Sequence, residues 1–450
     1  MIQASNTTTL ETAAWQVIRE ASDEHGIRAA AQQQDNYRRI WARDSVVTGL
    51  AILLHDAPAF MPAFKASLLQ LAEAAAPNGQ IPSNVSLQSN GQIAAVSFGG
   101  PVGRTDASFW WIIGAVNYLQ RIPEDAFRTT VLNQTEKIFH LAEAWEFNYQ
   151  GLMHLPVSSN WADEYITGGY VLYDQLLRYW ALLLAGECFQ RTDWLAKADD
   201  VKLKIKQHYL LEAELDGSLF TQSQREQLQQ QLNDPPFLCA FSATQLITRF
   251  DGWSIALLLM LNIPSESTKT RLLQALQKEW QACGIGLPAF WPVIEATDPE
   301  YQQLLSNHSY RFKNRPGHFH NGGIWPVVNG FLVSACYLIG ETSMADALLH
   351  DLQTTLETHA ITHPFPEYLD RTNHQPGGLS RLCFSAAGWL LAVRARTQIQ
   401  RLQQIMAHPS QQKQDAATAA QKLARAVIGQ IRPEPGRPLA ISVAGESGCG

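Results

Sequence analysis

The sequence is poor in charge. Only 17% of its 450 residues are charged, and 34 basic against 41 acidic side chains leave a net charge of −7 without a run of either sign. The missing basic block argues against nucleic acid or an anionic membrane as partner. Residues 1–25 lack a basic stretch followed by an apolar one, so no secretory signal is legible. Cysteines are few and scattered, at 188, 239, 283, 336, 383 and 449, with no CxxC pair. Most stand in apolar runs such as Ser334-Ala335-Cys336-Tyr337-Leu338, which fits buried free thiols in a reducing cytoplasm better than a disulfide framework. Strand-like alternation is scarce, residues 92–98 being the main candidate. No repeat of fixed period marks a solenoid. From Pro316 to Gly340 there is no formal charge, but Pro326, Asn321, Asn329, His318 and His320 interrupt the run. A buried helix entered by a polar loop accounts for it better than a membrane span.

What the sequence does have is helical periodicity. Apolar spacing predicts about a dozen helices, over residues 10–22, 44–55, 62–76, 106–121, 126–146, 170–190, 193–210, 241–262, 268–282, 323–340, 342–359 and 380–402. A Thr8-x-x-Glu11 pattern reads as a capping box for the first. Some segments, such as 170–187 and 324–340, are apolar nearly all round and should be buried. Their successors carry one apolar stripe, for example Leu195, Ala198, Val201, Ile205 and Tyr209, and should be half exposed. Alternation of the two kinds predicts an inner and an outer ring of helices in an all-α domain over residues 1–402, long enough to bury an ample core. Residues 77–105, rich in Gly, Asn, Ser and Pro, read as a long functional loop. Residues 403–437 read as a connecting helix and a proline-rich linker. Residues 438–450 read as a strand followed by Gly445-x-x-x-x-Gly450, the opening of a P-loop.

Three acidic positions stand in settings that fit a pair of carboxyl groups acting on a glycosidic bond, one as acid and one as base. Arg43 and Asp44, after Trp41, open one apolar helix. Asp106 opens another, ahead of Trp110 and Trp111. Glu367 lies in a loop, followed by Tyr368. Each has a plainer alternative: Asp44 and Asp106 as helix N-caps, Glu367 as an exposed loop residue. Two further polar clusters, Trp161 with Asp163 and Glu164, and His320 with Asn321, are suited to holding sugar hydroxyls. The His318-x-His320 pair has no HExxH or spaced carboxylate beside it, so no metal is expected.

Taken in order, the blocks RIWARDSVVTGLAIL, TDASFWWIIGAVNYL, HFHNGGIWPVVNGFLVSACYLIG and FPEYLD with FSAAGWLLA resemble the neutral/alkaline invertases and their relatives across residues 35–395. The relatives include mannosylglycerate and glucosylglycerate hydrolases and amylo-1,6-glucosidases. The resemblance implies an (α/α)6 barrel (six-hairpin toroid) and an inverting glycosidase acting on a small carbohydrate, with Asp106 as general acid and Glu367 as general base. It implies that Arg43, Asp44, His320 and Asn321 line the sugar pocket. Sucrose or a related small α-glucoside is the expected substrate, and the glycosidase needs no cofactor. The segment has Thr-Asp-Ala-Ser-Phe-Trp-Trp and Phe-Pro-Glu-Tyr-Leu-Asp where invertases carry related but different runs, so the catalytic roles transfer better than the substrate. The C-terminal segment resembles uridine-kinase-like P-loop kinases, where ATP and Mg²⁺ would bind only to a complete kinase domain. A sugar-binding sensor without turnover, attached to that kinase, is the alternative from another class of function.

Overall fold

The computed structural model describes residues 4–231 and 237–408, with backbone alone for 4–8. The described residues up to Ala407 form one unit. The linker and the P-loop residues Gly445 and Gly450 lie outside the described residues.

Helices pair in chain order, an outer one followed by an inner one. The pairs begin with α1 (Ala4–Ala21) and α2 (Ala42–His55), α3 (Met61–Glu73) and α4 (Asp106–Arg121), α5 (Asp125–Ala144) and α6 (Leu172–Phe189). Outer α7 (Thr192–His208) is followed by the short α8 (Gln222–Gln229) and inner α9 (Gly252–Met260). Outer α10 (Glu266–Cys283) is followed by the short α11 (Tyr301–Ser306) and inner α12 (Pro326–Leu338). The last pair is α13 (Thr342–Thr358) and α14 (Cys383–Ala395), after which comes α15 (Ile399–Ile405). Inner helices touch in a closed cycle: α2 on α4, α4 on α6, α6 on α9, α9 on α12, α12 on α14, and α14 back on α2. The fold is therefore an (α/α)6 barrel.

Packing follows the two kinds of periodicity. Along α4, every residue from Asp106 to Leu119 is buried, whereas α7 buries only Trp194, Ala198, Val201, Ile205 and His208. Rings from four inner helices meet in the core: Trp110 lies 5.8 Å from both Trp180 and Trp253, and Trp253 lies 5.4 Å from Phe331. Gly330 and Gly388 let α12 and α14 pack backbone to backbone, since a Cβ on Gly330 would overlap the Gly388 carbonyl. At one end α15 seals a small apolar cavity lined by Leu50, Trp180, Met260, Phe331, Leu391, Leu402, Ile405 and Met406 among others. The Ile405 carbonyl accepts from Trp180 Nε1 and Asn117 Nδ2 there. The barrel thus runs to Ala407 and not only to residue 402.

Some helix ends differ from expectation. Helix α1 begins by Ala4, so Thr8 lies within it and is no cap. Residues 241–251 are not helical: Ala240–Phe241 and Leu246–Ile247 form a small hairpin that pairs with Tyr170–Val171. Helix α9 starts only where Asp251 caps it, accepting from Trp253 N–H at 3.0 Å. Within 77–105, Asn84–Leu87 and Ile93–Ser97 form an antiparallel pair, and Ile40–Trp41 joins it as a third strand ahead of α2. No helix among the described residues is long and apolar enough to cross a membrane. The five cysteines described are free, and all but Cys188 are buried.

The connections are asymmetric. Short links at 56–60, 122–124, 190–191, 261–265 and 339–341 follow inner helices, while the long segments 22–41, 74–105, 145–171, 209–251, 284–325 and 359–382 precede them. All long segments therefore gather at the end where inner helices start. There the N-terminal peptide dipoles favour carboxylates and hydroxyl oxygens.

Candidate active site

Asp44 and Asp106 both stand at that end, and neither caps its helix. Trp41 is the N-cap residue of α2 and Thr105 that of α4, both without a side-chain cap bond. Asp44 sits in the first turn of α2 and Asp106 opens α4, and both are buried. Arg43 Nη1 pairs with Asp106 Oδ2 at 2.6 Å. The second oxygen, Asp106 Oδ1, is buried without a partner among the described residues, as is Arg43 Nε. A small cleft opens over this pair, lined by Trp41, Arg43, Ser83, Arg104, Asp106 and Ala107. Trp41 and Ser83 reach it because the strand pairing at Ile40–Trp41 lays the 77–105 segment beside α2.

Glu367 is no exposed loop residue: 6% of its surface is accessible. Tyr37 donates its hydroxyl to Glu367 Oε1 at 2.8 Å, and Leu379 N–H donates to Oε2 at 3.3 Å. Gly378, with φ +73°, leaves the space, because a Cβ there would overlap Glu367 Oε2. Burial pushes the Glu367 carboxyl up to about 7. Burial likewise pushes Asp44 up to about 6.

Asp163 pairs with an arginine that lines the cleft. Arg104 Nη2 pairs with its Oδ2 at 3.0 Å. Burial opposes the charge on Asp163, but the fixed positive charges of Arg104, Arg43 and Lys313 hold its carboxyl below the usual range. Asp163 and Lys313 also act on Glu367, Asp163 raising and Lys313 lowering its proton affinity. His320 is buried and stacks on Trp325 with ring centroids 4.9 Å apart, edge-on to Trp161 at 5.0 Å. Burial drives its imidazole down to about 3, so it is neutral, and neither ring nitrogen has a partner among the described residues. Trp161 Nε1 is buried and unpartnered as well.

Other expected contacts fall elsewhere. Trp110 and Trp111 are fully buried, Trp110 donating to the Tyr173 hydroxyl in the core and Trp111 to the Leu68 carbonyl of α3. Neither lines the cleft. Adjacent residues on a helix point about 100° apart, so a Trp pair on an inner helix serves the barrel core and the outer ring. Asn321 spends its amide on the backbone of Ile294 and Asn314, stapling the loop, and presents nothing to a sugar. Tyr368 is half-buried against Trp325 and Phe319. His318 pairs with Asp370 at 2.8 Å, away from His320. Tyr37 and Arg104 stand just before two of the motif blocks, without a local signal of their role. Lys313 and Asp174 carry no such signal at all.

The chain matches the family model described as alkaline and neutral invertase over residues 16–234 and 220–395. It belongs to that family. Among solved structures, it is similar to a GH63 mannosylglycerate hydrolase from Thermus thermophilus, at 15% identity and a TM-score of 0.59, covering 85% of this chain and 99% of that one. A rhamnosidase from Klebsiella oxytoca aligns at 12% identity and a TM-score of 0.57, covering 86% of this chain and 64% of that one. At such identities the likeness concerns the fold. No curated protein sequence matches the chain. Membership of the invertase family makes this protein a glycosidase, and its substrate a carbohydrate.

Proposed function

We propose that this family member is an inverting glycoside hydrolase for a small α-glucoside, with sucrose first among them, Asp106 as general acid and Glu367 as general base. The observation that carries the reading is a set of buried polar atoms without partners among the described residues. Asp106 Oδ1 and Arg43 Nε belong to the Arg43–Asp106 pair, and both nitrogens of His320 and Trp161 Nε1 to rings 5.0 Å apart. An unfilled buried donor or acceptor costs about 1–3 kcal/mol, a cost that the hydroxyls of a bound sugar remove. In the reaction Glu367 takes a proton from a water that attacks the anomeric carbon. Asp106 delivers a proton from Oδ1 to the leaving oxygen, while Arg43 holds its other oxygen. For sucrose the products are glucose and fructose. Arg43, Asp44, Trp161, Asp163 and His320 surround the sugar on this reading.

A panel of sucrose, glucosylglycerate, mannosylglycerate and maltose-type oligosaccharides tests the substrate. Mannosylglycerate is included as the substrate named for the Thermus enzyme. Asp106→Asn and Glu367→Gln are each expected to cost ~10²–10⁴-fold in turnover with sugar binding retained in calorimetry. A variant that keeps more than about a tenth of the rate removes that residue from the mechanism. Binding of a panel sugar by the wild-type protein without release of monosaccharide identifies a sensor and contradicts the proposal.

A further inference from the structure

We infer that Asp174 is a neutral, proton-donating carboxylic acid that positions the catalytic acid, by tying Thr105 to the segment that carries Trp161 and Asp163. The inference rests on Asp106 being the general acid of the glycosidase reading.

Asp174 stands in the first turn of α6 and is fully buried. Its Oδ1 lies 2.7 Å from Thr105 Oγ1, and its Oδ2 accepts from Asn160 Nδ2 at 3.0 Å. The same Thr105 hydroxyl lies 3.0 Å from the Ser159 carbonyl oxygen. A hydroxyl has one proton to give, and a carbonyl can only accept. Were Asp174 ionised, it too could only accept, and one of these two short contacts would set lone pair against lone pair in a buried place. Both contacts become hydrogen bonds when Asp174 donates to Thr105 and Thr105 donates to Ser159.

The surroundings favour the same state. Among the described residues no cation pairs with Asp174, and the nearby Arg43 is engaged by Asp106. The carboxyls of Asp106 and Asp251 face it from the starts of α4 and α9, the Tyr209 phenol from beyond α7, and Tyr173 from its own helix. Burial pushes the Asp174 carboxyl up to about 7.

The consequence reaches Asp106 through one residue. Thr105 N–H also donates to the Ser159 carbonyl, at 2.7 Å. The first turn of α4 is thereby fastened to the 158–163 segment, and the acid is held in register with the sugar contacts. A neutral carboxyl does this without placing a negative charge beside the general acid. Asp174 is thus a positioning residue.

The test compares Asp174→Asn with Asp174→Ala in the full chain. The Asn amide donates to Thr105 and its carbonyl accepts from Asn160, so Asp174→Asn is expected to keep most of kcat. Asp174→Ala is expected to lose roughly 10²-fold in kcat with KM little changed, the scale of a misplaced catalytic group. A second readout needs no substrate. In the native protein Asp174 holds its proton more tightly than in the unfolded chain, so wild-type stability falls as pH rises through about 4 to 7. Asp174→Asn lacks this loss, and its Tm advantage over wild type should widen across that window. Asp174→Asn as slow as Asp174→Ala, a Tm difference that is flat with pH, or full kcat in Asp174→Ala overturns the inference. A wild-type protein that cleaves no glycoside would sink the glycosidase reading, and the Tm comparison would still report on the Asp174 proton.

Discussion

Glu367 sits where a carboxylate is costly to charge, and its pH behaviour follows from that. A general base works ionised, so turnover should fall as pH drops through about 7, where burial places this carboxyl. The Tyr37 hydroxyl, at 2.8 Å, favours the ionised form. A hydrogen bond to a charged group contributes about 1.5–3 kcal/mol, equivalent to roughly one to two pH units. Tyr37→Phe should therefore move the acidic limb of the kcat/KM profile upward by about one unit or more. A limb that stays in place would mean that Glu367 is not the group titrating there. At this scale the motif blocks singled out Asp106, Glu367 and Arg43 as candidates, and the structure buries Asp106 and Glu367 and pairs Arg43 with Asp106. Trp110, Trp111 and Asn321 misled, since local sequence gives residue type and not direction. Tyr37 and Asp174 escaped notice because their partners lie far along the chain.

Among the elements, helical periodicity located all six inner and six outer helices, and erred where structure is local and short. Residues 241–251 carry enough apolar side chains for a helix, yet a hairpin takes them because Tyr170–Val171 offers an edge to pair with. Helix α15 reads in the sequence as the end of the last barrel helix, which breaks after Ala395, and its last residues as the start of the connecting segment. Its Leu402 and Ile405, with Met406, are buried against the inner ring. Each such side chain is worth about 1.5–3 kcal/mol. A chain ending at Ala407 should retain glycosidase activity and melt as the full chain does. One ending at Gln398 opens the apolar cavity and unpairs Trp180 and Asn117 from the Ile405 carbonyl, and should show a Tm several degrees lower. Equal melting of the two would mean that α15 does not seal the barrel.

For the whole molecule, closure of the inner ring brings Asp44, Asp106, Asp163, His320 and Glu367 to one end, although they span more than three hundred positions of sequence. Alternation of buried and amphipathic helices announced the two rings. Which loops would meet followed only from the invertase-like order of the motifs, because contact between distant segments leaves no periodic trace. The short links after inner helices supply the physical reason: the chain has room for chemistry only before each inner helix. The account stands on the stereochemistry of that end. A base that activates water on one face and an acid that protonates the leaving oxygen on the other must invert the anomeric centre. Proton NMR of the first sugar released from an α-glucoside, followed from the earliest time points before mutarotation, measures this directly. The account predicts the β-anomer first. Release of the α-anomer first would contradict it, showing retention and a covalent intermediate in place of a water held by Glu367.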